Sequence, residues 1–200
     1  MHIEEKTLKF TRTLIALSAA TLMATSAMAM EPAEYKAAKD QISADYKANK
    51  QKCDALQGNA KDVCQKEAKG AEKVAKAELD ARYKPSDKAA YKAREAKADA
   101  DYEVAKEKCD DLSGNAKDVC VKDAKAAHVS AKENAKVARA VAKPADNTAA
   151  KQADVAEARK DAAAEKNEAN YKAAKERCDA LSGDAKSKCV DDAKRVHGQS

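Results

Sequence analysis

Six cysteines are the reactive side chains that stand out in this sequence. They form three pairs with the same C-x10-C spacing, and each pair belongs to one copy of the block Lys-Cys-Asp-x-Leu-x-Gly-Asn-Ala-Lys-Asp-Val-Cys. The block occurs at 52–64 and 108–120, and a degraded copy occupies 177–189. Paired thiols can form a disulfide, bind a metal ion or act in redox exchange. The pairs are Cys53 with Cys64, Cys109 with Cys120, and Cys178 with Cys189.

The spacing favours structural disulfides over reactive thiols or metal ligands. Redox-active pairs are typically C-x-x-C and structural zinc sites use C-x2–4-C, so C-x10-C fits neither pattern. His128 and His197 each lie eight residues beyond a second cysteine. Eight residues of helix separate Cys from His by about 12 Å, too far to share one ion. We therefore interpret both as surface histidines and predict no metal ligands, while a stress-sensing or metal-buffering dithiol stays open as an alternative.

The N-terminal residues resemble an export signal. Residues 1–29 combine early basic residues, a short apolar run at 13–23 and the small-x-small sequence Ala27-Met28-Ala29, a pattern that signal peptidase recognises. The apolar run is shorter than the roughly 20 residues needed to span a bilayer. We predict a cleaved signal peptide, a mature chain that begins at Met30 without a membrane span, and a periplasmic location. An oxidising compartment in turn favours disulfides.

Each block predicts an antiparallel helical hairpin with its two cysteines level. In one continuous helix, eleven residues would separate the sulfurs by about 16 Å, whereas a disulfide requires Cα atoms within about 7 Å. The glycine suits a left-handed position that ends the first helix, and the next residue suits the N-cap of the second. Asp62 and Asp118 complete an arrangement like a capping box. The predicted turn residues are Gly58, Asn59, Gly114, Asn115, Gly183 and Asp184.

The composition predicts an all-α fold with a thin core. Charged residues make up 36% of the chain and aromatic residues 4%, and alanine is abundant, which is typical of long helices or coiled coils. Alanine contributes little apolar burial, so we expect the disulfides to supply much of the stability. Residues spaced by seven predict a coiled-coil-like or loosely bundled seam in which tyrosines pack opposite alanines. The seam consists of Tyr35, Ile42, Asn49 and Leu56, an alternate row with Tyr46 and Cys53, and Leu112 and Leu181 in the later copies.

Two proline-containing breaks divide the helical sequence. Ser86 follows Pro85 and Asn147 lies three residues after Pro144, and both residues are good N-caps for the helices that follow. The predicted organisation is a signal peptide at 1–29, a first hairpin repeat at 30–84, a second at 85–143, a linker at 144–148 and a third hairpin repeat at 149–200.

The charge pattern argues against several functions. A net charge of +5 arises from 39 basic and 34 acidic residues with the two signs interspersed, which is typical of a solvated helical surface. The sequence shows no basic face with interleaved aromatic residues, so it does not predict a nucleic-acid partner. The sequence contains no Ser-His-Asp arrangement, phosphate-binding glycine loop or nucleotide fingerprint, and its acids have no apolar pocket around them. We therefore expect a protein that is not an enzyme and uses no cofactor.

The blocks at 102–109 and 114–120, the export signal and the Ala/Lys-rich helices resemble a group of small proteobacterial periplasmic repeat proteins, often described as cell envelope biogenesis proteins of the TolA type. The resemblance to TolA concerns its helical stalk, which spans the periplasm and links inner- and outer-membrane components. The resemblance implies a helical periplasmic protein of the cell envelope.

The sequence thus favours a non-enzymatic structural or interaction protein of the envelope. Its expected partners are envelope proteins, and self-association is a further expectation. Two alternatives stay open: an envelope stress or metal-responsive binding protein that uses Cys and His, and a desiccation-type protective helical protein.

Overall fold

A computed structural model describes residues 30–145 and 147–199, which form six α-helices. The signal peptide predicted at 1–29 lies outside the described residues. A short 3-10 turn, Cys109–Asp111, follows the third helix. The described residues contain no strand, and the all-α class predicted from composition is confirmed. The helices are α1 (Pro32–Cys53), α2 (Gly58–Tyr83), α3 (Asp87–Lys108), α4 (Gly114–Ala142), α5 (Thr148–Cys178) and α6 (Gly183–Val196).

Side-chain caps fix the starts of the helices that follow the proline breaks. The Ser86 hydroxyl accepts a hydrogen bond from the Ala89 amide at 3.1 Å, and the Asn147 side-chain oxygen accepts one from the Ala150 amide at 2.8 Å. These bonds satisfy N–H groups that the first turn of a helix leaves unpaired. Both N-cap predictions are confirmed. The helix after Asn147 begins at Thr148, which is the last residue of the predicted linker.

Consecutive helices lie antiparallel and side by side. The Tyr35 hydroxyl near the start of α1 donates to Asp80 near the end of α2 at 2.6 Å, and Cys53 at the end of α1 is bonded to Cys64 near the start of α2. Extensive contacts in residues 30–145 and 147–199 join only helices that are neighbours in sequence. The three cysteine-containing turns therefore share one end of the array, which we call the stapled end, and the two proline breaks share the other.

The core is thin, as the composition predicts. Among residues 30–145 and 147–199, the buried apolar residues are nine alanines, three cysteines and one leucine, and the largest fully buried side chains are those of Leu79 and the three cysteines. The predicted seam is wrong at its leucines, which are 41–44% exposed. The reason is that α1 and α5 end at Cys53 and Cys178, and the 3-10 turn ends at Asp111, so each leucine lies beyond its helix. The exposed leucines are Leu56, Leu112 and Leu181, and Asn49 of the same seam is also exposed.

Candidate functional site

Each hairpin is held by one disulfide, which we call its staple. The Cα–Cα distances are 5.6 Å in the first and second hairpins and 5.7 Å in the third. The pairing predicted from the spacing is confirmed, and none of the cysteines in the described residues is free. The first cysteine of each pair is fully buried: these are Cys53, Cys109 and Cys178. Three intrachain disulfides indicate an oxidising, extracytoplasmic environment.

The turn glycines are left-handed, but they do not end the first helix of each hairpin. Gly58, Gly114 and Gly183 all have φ +56°, a conformation that favours glycine. The first helix ends earlier because its last turn tightens: the Leu56 amide donates to the Cys53 carbonyl at 3.0 Å, and the other two hairpins repeat this bond. The glycine is instead the first residue of the second helix. The staple consequently lies at or next to the last residue of the first helix.

The asparagines after these glycines join neighbouring hairpins, so the prediction that they are N-caps is wrong. The Asn59 side-chain amide of α2 donates to the Glu107 carbonyl of α3 at 3.1 Å, and the Asn115 amide of α4 donates to the Glu176 carbonyl of α5 at 3.0 Å. The capping-box arrangement predicted with Asp62 and Asp118 is also wrong, since the residues that precede these helices are Gln57 and Ser113 and neither makes a side-chain cap. Both amides instead bond a carbonyl near the C-terminus of the neighbouring helix.

Ion pairs continue the junction between α2 and α3. Lys66 of α2 contacts Glu103 at 3.2 Å and Glu107 at 3.6 Å, and Glu67 contacts Lys108 at 3.0 Å. The hydrogen bond to Glu103 raises the pKa of Lys66 above its ordinary value. All of these side chains are partly exposed, so each pair contributes little by itself and the set defines register more than stability.

The junction between α4 and α5 repeats these contacts at equivalent positions. Lys122 contacts Glu176 at 3.8 Å, and Asp123 pairs with Arg177. The positions 1, 8, 9 and 12 residues after the turn glycine therefore form what we call the docking set. It consists of Asn59, Lys66, Glu67 and Gly70 in α2 and of Asn115, Lys122, Asp123 and Ala126 in α4.

The small residue of the docking set permits close helix packing. A Cβ atom built on Gly70 would lie 3.0 Å from the Cβ of Ala100 in α3, which is tighter than ordinary contact. Its equivalent, Ala126, is buried. Glycine and alanine at this position let the two backbones approach, and no larger side chain would fit without moving the helices.

A cluster of polar and aromatic side chains joins α3 and α4 beyond their staple. His128 Nε2 lies 2.6 Å from Asp99 Oδ1, and the His128 ring stacks on Tyr102 with centroids 4.7 Å apart. Only 11% of the His128 side chain is exposed, and its Nδ1 atom is buried without a hydrogen-bond partner. The surface interpretation is therefore wrong for His128. The sequence carried a signal for this contact: Tyr102 lies seven residues before one cysteine of the staple and His128 eight residues after the other.

The end of the second hairpin far from the staple is also polar. The Tyr91 hydroxyl donates to Glu95 at 2.8 Å, and the Arg139 guanidinium lies 5.1 Å from the centre of the Tyr91 ring. Burial, together with the hydrogen bond to Glu95, raises the pKa of Tyr91 to about 12. In the first hairpin the equivalent end is aromatic, because Tyr35 stacks on Tyr83 at 4.2 Å.

Two grooves follow the α2–α3 junction, one on each side of the Gly70–Ala100 contact. The larger, about 650 Å³, has an apolar floor that includes Val74 and Val104 and a charged rim of both signs. The smaller, about 390 Å³, is bordered by lysines of α2 and by the ring of His128. The first groove has the apolar floor and charged rim that suit an amphipathic partner helix.

The described residues provide no set of ligands that would support the metal-binding alternative. Throughout residues 30–145 and 147–199, no group of three or more His, Cys, Asp or Glu side chains is placed to hold an ion, and the thiols of this region are consumed in disulfides. None of the helices in the described part combines the length and apolar character that crossing a bilayer requires.

The structure thus defines a class of all-α protein in which disulfide-stapled hairpins are docked side by side in chain order. In comparisons with known proteins, no family model, no curated protein and no solved structure matches this chain.

Proposed function

We propose that this protein is a non-enzymatic structural or interaction element of the bacterial cell envelope and that it acts in the periplasm. The observation that carries the proposal is the array itself. Each hairpin is held by its own disulfide and docks on the hairpins next to it in sequence, so the broad faces of the layer stay available to other molecules. Such quasi-one-dimensional arrays typically act through extended surfaces.

The distribution of polar groups supports a role in binding. His128 is held by Asp99 and Tyr102 inside a hairpin, where its ring supports packing and borders the smaller groove. The groove lined by Val74 and Val104 offers apolar surface with charges of both signs at its rim. The TolA-like character of the sequence supports the same assignment, because the helical stalk of TolA also serves as a connector in the periplasm.

The test combines compartment, thiol state and contact in the bacterium that makes the protein. A photo-crosslinking amino acid replaces Ala71, at the edge of the larger groove, and in a second strain it replaces the equivalent Ala127 of α4, which is also exposed. We expect the protein in the periplasmic fraction, thiols that react with maleimide only after reduction, and a defined envelope protein crosslinked to Ala71 in greater yield than to Ala127.

Each part of the proposal can fail separately. Recovery in the cytoplasmic fraction with reactive thiols would overturn the periplasmic assignment. Equal or absent crosslinking from the two positions would overturn binding through this groove. Purified protein that is unfolded in dilute buffer with its disulfides intact would instead favour the desiccation-type protective role.

A further inference from the structure

We propose that α6 is a terminating cap of the hairpin array, and that its outer face prevents a second copy of this chain from docking onto it through α1. This inference concerns assembly and holds independently of which envelope component the protein binds. It is drawn from the residues of α6 compared with those of α2 and α4, the two helices that do dock a following hairpin.

The docking set is altered in α6 at three of its four positions. Asp184 replaces the asparagine, Asp191 replaces the lysine and Arg195 replaces the small residue, while Asp192 keeps the acid. These residues have the same spacing from the turn glycine as their counterparts in α2 and α4, and the three staples have nearly the same Cα–Cα distance. They therefore lie on the side of α6 that corresponds to the docking side of α2 and α4. Asp184, Asp191 and Arg195 are all exposed.

Asp184 removes the hydrogen bond that starts each junction. Asn59 and Asn115 donate to the carbonyl two residues before a staple cysteine, and in α1 that carbonyl belongs to Gln51. An ionised carboxylate has no proton to donate. Docking α6 on α1 would place the Asp184 carboxylate against the Gln51 carbonyl oxygen. The hydrogen bond of the other junctions would be replaced by repulsion between two oxygen atoms, and both oxygens would lose their hydration.

Arg195 blocks the close approach. The Gly70 position leaves 3.0 Å between a built Cβ and Ala100, so a long side chain at the equivalent position of α6 would hold a second copy away. Arg195 also pairs with Asp192 of its own helix at 2.8 Å. The equivalent acids Glu67 and Asp123 pair instead across the junction. The carboxylate of Asp192, which would otherwise pair with a neighbouring hairpin, is thus paired with Arg195 inside α6.

A third change removes apolar surface from the same face. Lys188 of α6 stands where α2 has Val63 and α4 has Val119. Both valines are half-buried, whereas Lys188 is exposed. Polar outer faces of this kind are what terminal units of repeat arrays need for solubility.

The outer face of α1 keeps what a docking partner needs. Ala44 stands at the position of Ala100, and Lys52 stands at the position of Lys108, which pairs with Glu67. Lys47 occupies the position of Glu103, so Asp191 would face a lysine there and does not itself oppose docking. The block to association therefore lies in α6 and can be removed by changing α6 alone.

The experiment repairs the cap in the full chain. The variant D184N/K188V/R195A should form head-to-tail dimers and longer assemblies whose mass, measured by sedimentation or light scattering, doubles or more as concentration rises, while the unchanged protein keeps the mass of one chain. A matched control, S187N/K194V, makes similar changes on another exposed face of α6 and should stay monomeric. Circular dichroism of each variant shows whether the helices are retained.

A second change identifies the receiving face. Ala44→Arg, added to the repaired variant, should return it to the mass of one chain, because it places on α1 the bulk that was removed from α6. The proposal is overturned if the unchanged protein already assembles through α6 and α1. It is equally overturned if the folded repaired variant stays monomeric up to about 1 mM, which corresponds to association weaker than roughly 4 kcal/mol, or if Ala44→Arg leaves its assemblies intact.

Discussion

The interfaces inside the hairpins and the junctions between them are built in different ways. Inside a hairpin, a disulfide joins the two helices and holds the Cα atoms of its cysteines about 5.6 Å apart. This link does not depend on how well the other side chains of the hairpin pack. Between hairpins there is no covalent link, and contact depends on an amide donor, exposed ion pairs and a very small residue. A chain with few large apolar residues can therefore use disulfides to hold each hairpin together and a few polar and small residues to set the order of the hairpins.

Among these changes, removal of the disulfide of the second hairpin should lower the stability of the protein most. In C109A/C120A we expect the free energy of unfolding to fall by about 3 kcal/mol, because the unfolded chain regains the freedom of a short closed loop. Urea titration followed by circular dichroism measures the change. The matched variant C178A/C189A should lose a similar amount, and a midpoint unchanged in both would contradict the view that the staples carry the hairpins.

Widening the junction should come next. Gly70→Leu would force α2 away from Ala100 and should cost about 2 kcal/mol, a typical penalty for overpacking, while all three staples stay formed. Hydrogen exchange should increase in α2 and α3 more than in α5. Ala71→Leu, at an exposed neighbouring position, is the control, and equal stability of the two variants would show that the close approach is unimportant.

Reversing the junction amide should have a smaller effect. Asn59→Asp replaces the donor to the Glu107 carbonyl with an acceptor and should cost about 1.5 kcal/mol. The opposite change, Asp184→Asn, should leave the stability of the monomer within about 0.5 kcal/mol, as is usual for a surface site without partners in the fold. If urea titration gives the two changes the same cost, Asn59 has no special role in docking.

The smallest effect concerns the polar end of the second hairpin. The pKa of Tyr91 is about 12 when folded, against an ordinary value of 10.0, so the folded protein holds this proton more tightly than the unfolded chain. The resulting contribution to stability is complete below pH 10 and is lost as the pH rises through about 12. The ultraviolet difference between the protein and Tyr91→Phe should show a tyrosinate transition near pH 12, and a transition near pH 10 would contradict the assignment.

Much of the fold was predictable because the cysteine spacing and the helix breaks are local signals. The staples follow from the geometry of C-x10-C, and the caps at Ser86 and Asn147 follow from residue type. The junctions were not predictable in the same way. Asn59 is a good N-cap by type, and only the presence of α3 beside it redirects its amide to another helix. Propensity describes what a residue does within its own segment, and docking depends on segments that are distant in sequence.

His128 illustrates the same limit. Its distance along the helix from the cysteines predicts a surface position for His128, but folding the hairpin brings Tyr102 level with it. The prediction for the leucines after each staple is wrong in the opposite direction, because the spacing places them in a packed seam and the structure exposes them. A seven-residue spacing predicts packing only within one helix, and each leucine lies beyond the end of its helix.

The order of contacts along the chain has a consequence for how the molecule is made. In the part of the chain that the structure describes, every extensive contact joins neighbouring helices, and every disulfide joins a cysteine to the next one in sequence. A chain that emerges with its N-terminus first can therefore complete each hairpin before the next is synthesised or translocated, and its contacts are of the local kind that form rapidly. The next cysteine to emerge after Cys53, Cys109 or Cys178 is in each case its native partner. Oxidation in chain order therefore forms the native disulfides without later exchange of bonds.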